Sequence, residues 1–169
     1  PSLLPLKVDG VTKELLFYSG RVGFITHGYS GRVEEVLESK FKCLARGSSG
    51  SPAGPSQAMT IHALQQPGLE ASIADRLNVL KRRYDILCDC LDQVDDPSIQ
   101  PFPFNSGSFA LLGIDRSIPS EVLRQTLLTK DTGVISVPSV NAIRIAYCSM
   151  AEDAIPGLVT NIATAVAEF

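Results

Sequence analysis

Val8-Asp9-Gly10-Val11-Thr12-Lys13-Glu14, followed closely by Gly20-Arg21-Val22-Gly23-Phe24-Ile25, decides how the rest of the chain is read. It sets a lysine in a polar turn and an arginine, eight residues later, at the mouth of an apolar strand. An amine can form an imine with an aldehyde, and a guanidinium offers a planar fork of donors that matches a phosphate, which a lysine would meet only as a point charge. Taken alone, Lys13 reads as a solvated surface residue and Arg21 as a strand-end arginine bonding carbonyls or a local acid. Gly20 and Gly23 flank the arginine as sites of close backbone approach or as bulges.

Outward from there, residues 21–27 alternate as a strand does, and Gly28-Tyr29-Ser30-Gly31 turns the chain. Val33, Val36, Leu37, Phe41 and Leu44 recur at helical spacing, which predicts a helix over 33–45 that Gly47 is placed to end. The Gly/Ser/Pro tract at 47–56, taken alone, reads as a linker. Leu69, Ile73, Leu77, Leu80, Tyr84, Leu87 and Leu91 form a stripe long enough for about six turns, closed by Asp95-Asp96-Pro97. Beyond Pro101-Phe102-Pro103 the pattern predicts a strand over 108–114, a helix over 119–130 and strands over 133–137 and 142–149. A last helix follows, with Ser149 and Glu152 spaced as a capping box and Ile155, Leu158, Ile162 and Val166 as its buried face. Strand, helix, strand, strand, helix is a small α+β lobe.

Composition bounds the function. With 169 residues and 44% hydrophobic content, the chain can fill a core. A net charge of -3 argues against a nucleic-acid surface, and Lys81-Arg82-Arg83 reads as a solvated helix face. No stretch approaches the roughly 20 apolar residues of a membrane span, and Pro1-Ser2-Leu3-Leu4-Pro5 lacks signal-peptide order. A soluble, cytoplasmic protein is expected, with Cys43, Cys88, Cys90 and Cys148 as free thiols. Cys88 and Cys90 point to different sides of a helix and cannot chelate together, so no metal site is expected. His27 and His62 have no orienting partner in sequence and read as ordinary packing or surface residues.

A third cation completes the pattern. In Asn141-Ala142-Ile143-Arg144-Ile145-Ala146-Tyr147-Cys148, strand alternation puts Ile143, Ile145 and Tyr147 on one face and Arg144 with the small Ala146 on the other. The open space over Arg144 suits bidentate capture of a carboxylate, although an edge-strand arginine facing water would look the same.

The stretch around Lys13 resembles the cofactor-lysine segment of pyridoxal-phosphate-dependent class I/II aminotransferases, in a subgroup reading roughly D-G-x-T-K-E. The Arg144 strand resembles that family's carboxylate-binding motif, and Asn105-Ser106-Gly107-Ser108-Phe109 its N-S-G-x-F element, departing at Ser108. The resemblance implies an α/β chain: the C-terminal part of the fold-type-I transferase fold, with a small α+β lobe. Residues 1–66 would be a remnant of the large cofactor domain, 67–97 a long interdomain helix and 98–169 the small domain. It implies pyridoxal 5'-phosphate as cofactor, held by Lys13 as Schiff-base and proton-transfer residue and by Arg21 at the phosphate. Arg144 would bind the α-carboxylate of an amino acid exchanging its amine with a 2-oxo acid. A homodimeric parent is implied, with no nucleic acid or membrane partner. Because the family supplies the acid facing the pyridine nitrogen from upstream of this lysine, these 169 residues alone are expected to be inactive. A transcription regulator with an aminotransferase-like effector domain, or a lyase on the same scaffold, are the alternatives.

Overall fold

The structure, a computed structural model, describes residue 3 and residues 5–51 and 53–169. Pro1, Ser2 and Leu4, part of the N-terminal signal-peptide reading, and Pro52 of the Gly/Ser/Pro tract lie outside the described residues. The chain divides into two compact units, Pro1–Ala74 and Asp75–Phe169.

In the first unit, β1 (Lys7–Gly10) pairs antiparallel with β2 (Gly23–Thr26), Lys7 opposite Thr26 and Gly10 opposite Gly23. One helical turn, α1 (Val11–Glu14), leaves Gly10 and is tied to the returning chain by the Val11 N–H donating to the Val22 carbonyl at 3.2 Å. Val11 and Val22 are the buried apolar side chains of this unit among the described residues. The helical stripe at 33–45 forms α2 (Arg32–Ser48), but no residue of it is buried, and Val33, Val36 and Leu44 are exposed.

The tract read as a linker corrects that expectation. Gly47 lies inside α2, which ends where the Ser49 N–H donates to the Ala45 carbonyl, and Gly50 at φ 78° takes the left-handed turn after it. From Gly54 the tract starts α3 (Gly54–Leu64), with Pro55 in the first turn, where a missing N–H costs nothing. The stripe from Leu69 becomes α4 (Leu69–Leu91), 23 residues long.

The second unit is built on a four-stranded antiparallel sheet of β3 (Ile99–Pro101), β4 (Ala110–Ile114), β5 (Ile135–Val137) and β6 (Ala142–Ile145), in the order β3-β4-β6-β5. The strand β3 went unread in sequence because it is short and carries a proline, tolerable only at a sheet edge, which is where it sits. Register sets the faces: Ala110 opposes Ile145 and Leu112 opposes Ile143, so these four side chains share the buried face. Against them pack Leu87 and Leu91 of α4, Leu123 and Leu127 of α5 (Ser120–Leu128), and Ile155, Leu158, Ile162 and Val166 of α6 (Ala154–Val166). The four buried positions foreseen for the last helix are therefore correct. Its capping box is not formed: the Ser149 hydroxyl donates to the Ala146 carbonyl, and the helix starts after Asp153 with no side-chain cap. The strand expected to reach residue 149 ends at Ile145, because the next turn drives the Tyr147 ring into the core and its hydroxyl onto the Gly107 carbonyl at 2.9 Å.

Asn141 launches β6. At φ 47° it adopts the left-handed conformation that asparagine tolerates better than most residues. Its amide nitrogen donates to the carbonyls of Ile114, Asp115 and Ile118 while its oxygen accepts the Ser120 N–H at 2.8 Å. One side chain thereby joins β4, the loop after it, α5 and β6.

Candidate functional site

Lys13 and Arg21 both stand on the connection between β1 and β2, at the end of the hairpin marked by the Gly10–Gly23 pair. Lys13 lies in α1 rather than in a loop, and it is exposed. Arg21 closes a 3-10 turn (Tyr18–Gly20) at φ 53° and ψ 42°, a left-handed conformation that costs a non-glycine residue roughly 1–2 kcal/mol. Such strain persists only where the surroundings over-determine it. Here Gly20 is buried, and a Cβ on it would lie 2.4 Å from the Phe17 ring, so a side chain could not enter without displacing that ring. A Cβ at Gly23 would come within 3.3 Å of the Asp9 carbonyl. Both glycines thus serve close packing of the hairpin end, and Arg21, exposed and with no ion pair among the described residues, projects from it. An amine and a guanidinium at one end of a hairpin are the donor set that an aldehyde bearing a phosphate ester requires.

Arg144 sits in the second unit on β6, paired with Leu111 of β4 and Ile135 of β5. The intervening residues Ile143 and Ile145 take the core face, so Arg144 shares the opposite face with Leu111 and Ile135, the latter 50% exposed. Its guanidinium carbon lies 4.6 Å over the centroid of the Phe109 ring. Its Nε is buried without a hydrogen-bond partner, and no carboxylate pairs with it among the described residues. A half-buried arginine without a counter-charge carries a desolvation cost that an incoming anion would relieve.

The other residues considered in sequence resolve structurally. Lys81 pairs with Asp85, Arg82 with Glu152, and Arg83 donates to the Cys148 carbonyl, so the basic run fastens α4 to the segment before α6 instead of facing only solvent. His62 is exposed, with its ring near the Gln66 amide, and His27 is half-buried with Nδ1 unsatisfied. Among the described residues no group of three or more His, Cys, Asp or Glu is arranged to hold a metal, and no helix is long and apolar enough to cross a membrane. Two open grooves of about 380 and 440 Å³, the first beside α6 and the second along β3, contain none of Lys13, Arg21 and Arg144. Phe109, quoted in sequence only as the last residue of the N-S-G-x-F element and given no role there, lies beside Arg144; the visible signal was an aromatic immediately before the strand paired with that of Arg144.

No protein-family model matches the chain, and no curated protein matches it by sequence. Solved structures do match it in fold. An α-aminoadipate aminotransferase from Thermus thermophilus, complexed with N-(5'-phosphopyridoxyl)-L-leucine, superposes with a TM-score of 0.78 at 16% identity over 96% of this chain and 42% of that one. A kynurenine aminotransferase from Pyrococcus horikoshii gives 0.76 at 16% identity over 98% of this chain and 40% of the other. An aminotransferase from Anaerococcus prevotii gives 0.71 at 22% identity over 96% and 39%. The chain therefore has the mixed α/β fold of the C-terminal part of fold-type-I aminotransferases, and it spans about two fifths of the length of the proteins it matches.

Proposed function

We propose that this chain is the C-terminal portion of a pyridoxal-phosphate-dependent aminotransferase, moving an amino group between an amino acid and a 2-oxo acid. The observation that supports this most is Arg144: a guanidinium without a counter-charge among the described residues, held over an aromatic ring, in a fold shared with solved aminotransferases. In this reading residues 1–66 belong to the large cofactor domain, 67–97 to the connecting helix and 98–169 to the small domain, with a homodimer as the working assembly.

Lys13 and Arg21 are the residues of this chain that would hold the cofactor, the amine at its aldehyde and the guanidinium at its phosphate. When bound, pyridoxal phosphate supplies an electron sink for the electron pair left on the substrate α-carbon. Arg144 binds the substrate α-carboxylate through two parallel N–H···O bonds, which fixes both distance and orientation. Lys13 moves the proton at the substrate α-carbon.

The test is spectroscopic. The longest natural polypeptide containing these residues should show the visible absorbance of lysine-bound pyridoxal phosphate, and Lys13→Ala should abolish it. A band unchanged in Lys13→Ala removes Lys13 from the site. The 169 residues alone should not turn over amino acids, and robust transamination by them would refute the division of labour proposed.

A further inference from the structure

Resting on the reading of Arg144 as the carboxylate-binding residue, we infer that Phe109 is its positioning residue, a fixed aromatic platform that holds the guanidinium flat with its forked edge turned outward. Phe109 directly precedes β4, and the residue is 40% exposed, so burial does not account for a phenylalanine there. The ring lies against the Arg144 guanidinium, and π faces attract cations.

Phe109 is placed by its backbone. The loop before it is clamped at successive points: the Tyr84 hydroxyl donates to the Phe104 carbonyl, the Tyr147 hydroxyl to the Gly107 carbonyl, and the Cys148 N–H to the Ser108 carbonyl. Gly107 makes the turn at φ 97°, a conformation that favours glycine. Tyr147 is fully buried, and burial pushes its phenol pKa up, so the hydroxyl stays a donor across the neutral range. The platform is therefore anchored to the hydrophobic core, one residue from the last clamp.

The energetic logic is preorganisation. A free arginine side chain carries rotamer entropy, which carboxylate capture would otherwise have to overcome. Stacking on Phe109 restricts those rotamers before the ligand arrives, and the buried Nε, having no acceptor, leaves the terminal nitrogens as the donors available to a carboxylate. An acidic partner would also restrain Arg144, but it would neutralise the charge that the ligand needs.

The experiment uses the 169-residue chain, with L-alanine as probe and side-chain NMR of arginine as readout. The Arg144 Nε–Hε signal, assigned by its loss in Arg144→Lys, should carry a ring-induced shift that disappears in Phe109→Leu and returns in Phe109→Tyr. L-Alanine should shift the same signal, and its affinity should fall about two- to fivefold in Phe109→Leu and recover in Phe109→Tyr. Unchanged position of the signal in Phe109→Leu overturns the platform. A lost ring shift with unaltered L-alanine affinity overturns its role in positioning. Absence of any L-alanine response in the wild type instead overturns the carboxylate reading of Arg144, and the inference with it, while the ring shift still reports the stacking.

Discussion

Replacing Asn141 with alanine should destabilise the second unit by about 4 kcal/mol, far more than a surface residue ordinarily costs, because one amide closes four backbone groups. Of these, the Ser120 N–H and the Ile114 and Ile118 carbonyls belong to residues 2%, 6% and 5% exposed, while Asp115 is exposed and its carbonyl can turn to water. Three buried groups left unpaired cost about 1 kcal/mol each at the low end of the usual range, and alanine at φ 47° adds about 1 more. Asn141→Gly should recover about 0.5–1 kcal/mol of this by relieving the backbone alone. Asn141→Asp keeps the acceptor for Ser120 but sets an acid against three carbonyls, so it should not recover. Native-state amide exchange at Leu112 and Ile143, both fully buried, reads the stability of this unit separately from the first. A loss below about 1 kcal/mol for alanine, or wild-type protection in Asn141→Asp, would refute the reasoning.

Other perturbations follow from the same structure. Arg21→Gly should leave the chain as stable as before or up to about 1 kcal/mol more stable, since it relieves left-handed strain against a smaller gain in unfolded-state entropy, yet it should weaken phosphate binding. A destabilised variant that binds inorganic phosphate normally in calorimetry would contradict both halves. Leu123→Ala, at a fully buried site of α5, should cost about 2–5 kcal/mol in urea unfolding, and a loss under about 1 would show that α5 does not pack as described. The Arg124 guanidinium beside Glu121 holds its carboxyl at about 2, well below the ordinary 4.5. Because the folded value is depressed, the stabilisation is present above pH 4.5 and lost as pH falls from there through about 2. Carbon-detected titration should place the midpoint near 2 in the wild type and nearer 4.5 in Arg124→Gln. A wild-type midpoint near 4.5 would remove the pair from the account.

Much of the second unit was legible because its signals were periodic. Leu87 and Leu91, and the stripe Ile155, Leu158, Ile162 and Val166, repeat at helical spacing and are buried as that spacing requires. What periodicity missed depended on tertiary contacts. Ser149 and Glu152 had the spacing of a cap, but the Ser149 hydroxyl found a nearer acceptor at Ala146, and Glu152 paired with Arg82. Gly47 looked like a helix stop, but a single glycine costs only about 1 kcal/mol inside a helix, and α2 runs past it. In the first unit, the stripe from Val33 to Leu44 correctly announced a helix and wrongly implied cover for it within the described residues. The candidate cations stood out as residue types in sequence. What the sequence did not display was the left-handed backbone at Arg21, a position where glycine would be the usual signal, or the ring beside Arg144, which comes from a separate segment brought to it by folding.

The central claim is that Lys13 and Arg21 form a site for pyridoxal phosphate. The most direct measurement is to add pyridoxal phosphate to the chain, reduce with borohydride and map the label by peptide mass spectrometry. The account predicts a phosphopyridoxyl group on Lys13 in preference to Lys7, Lys40, Lys42, Lys81 and Lys130, suppressed by inorganic phosphate and in Arg21→Gln. Label spread evenly over the lysines, or preference for Lys13 that survives in Arg21→Gln, would contradict it.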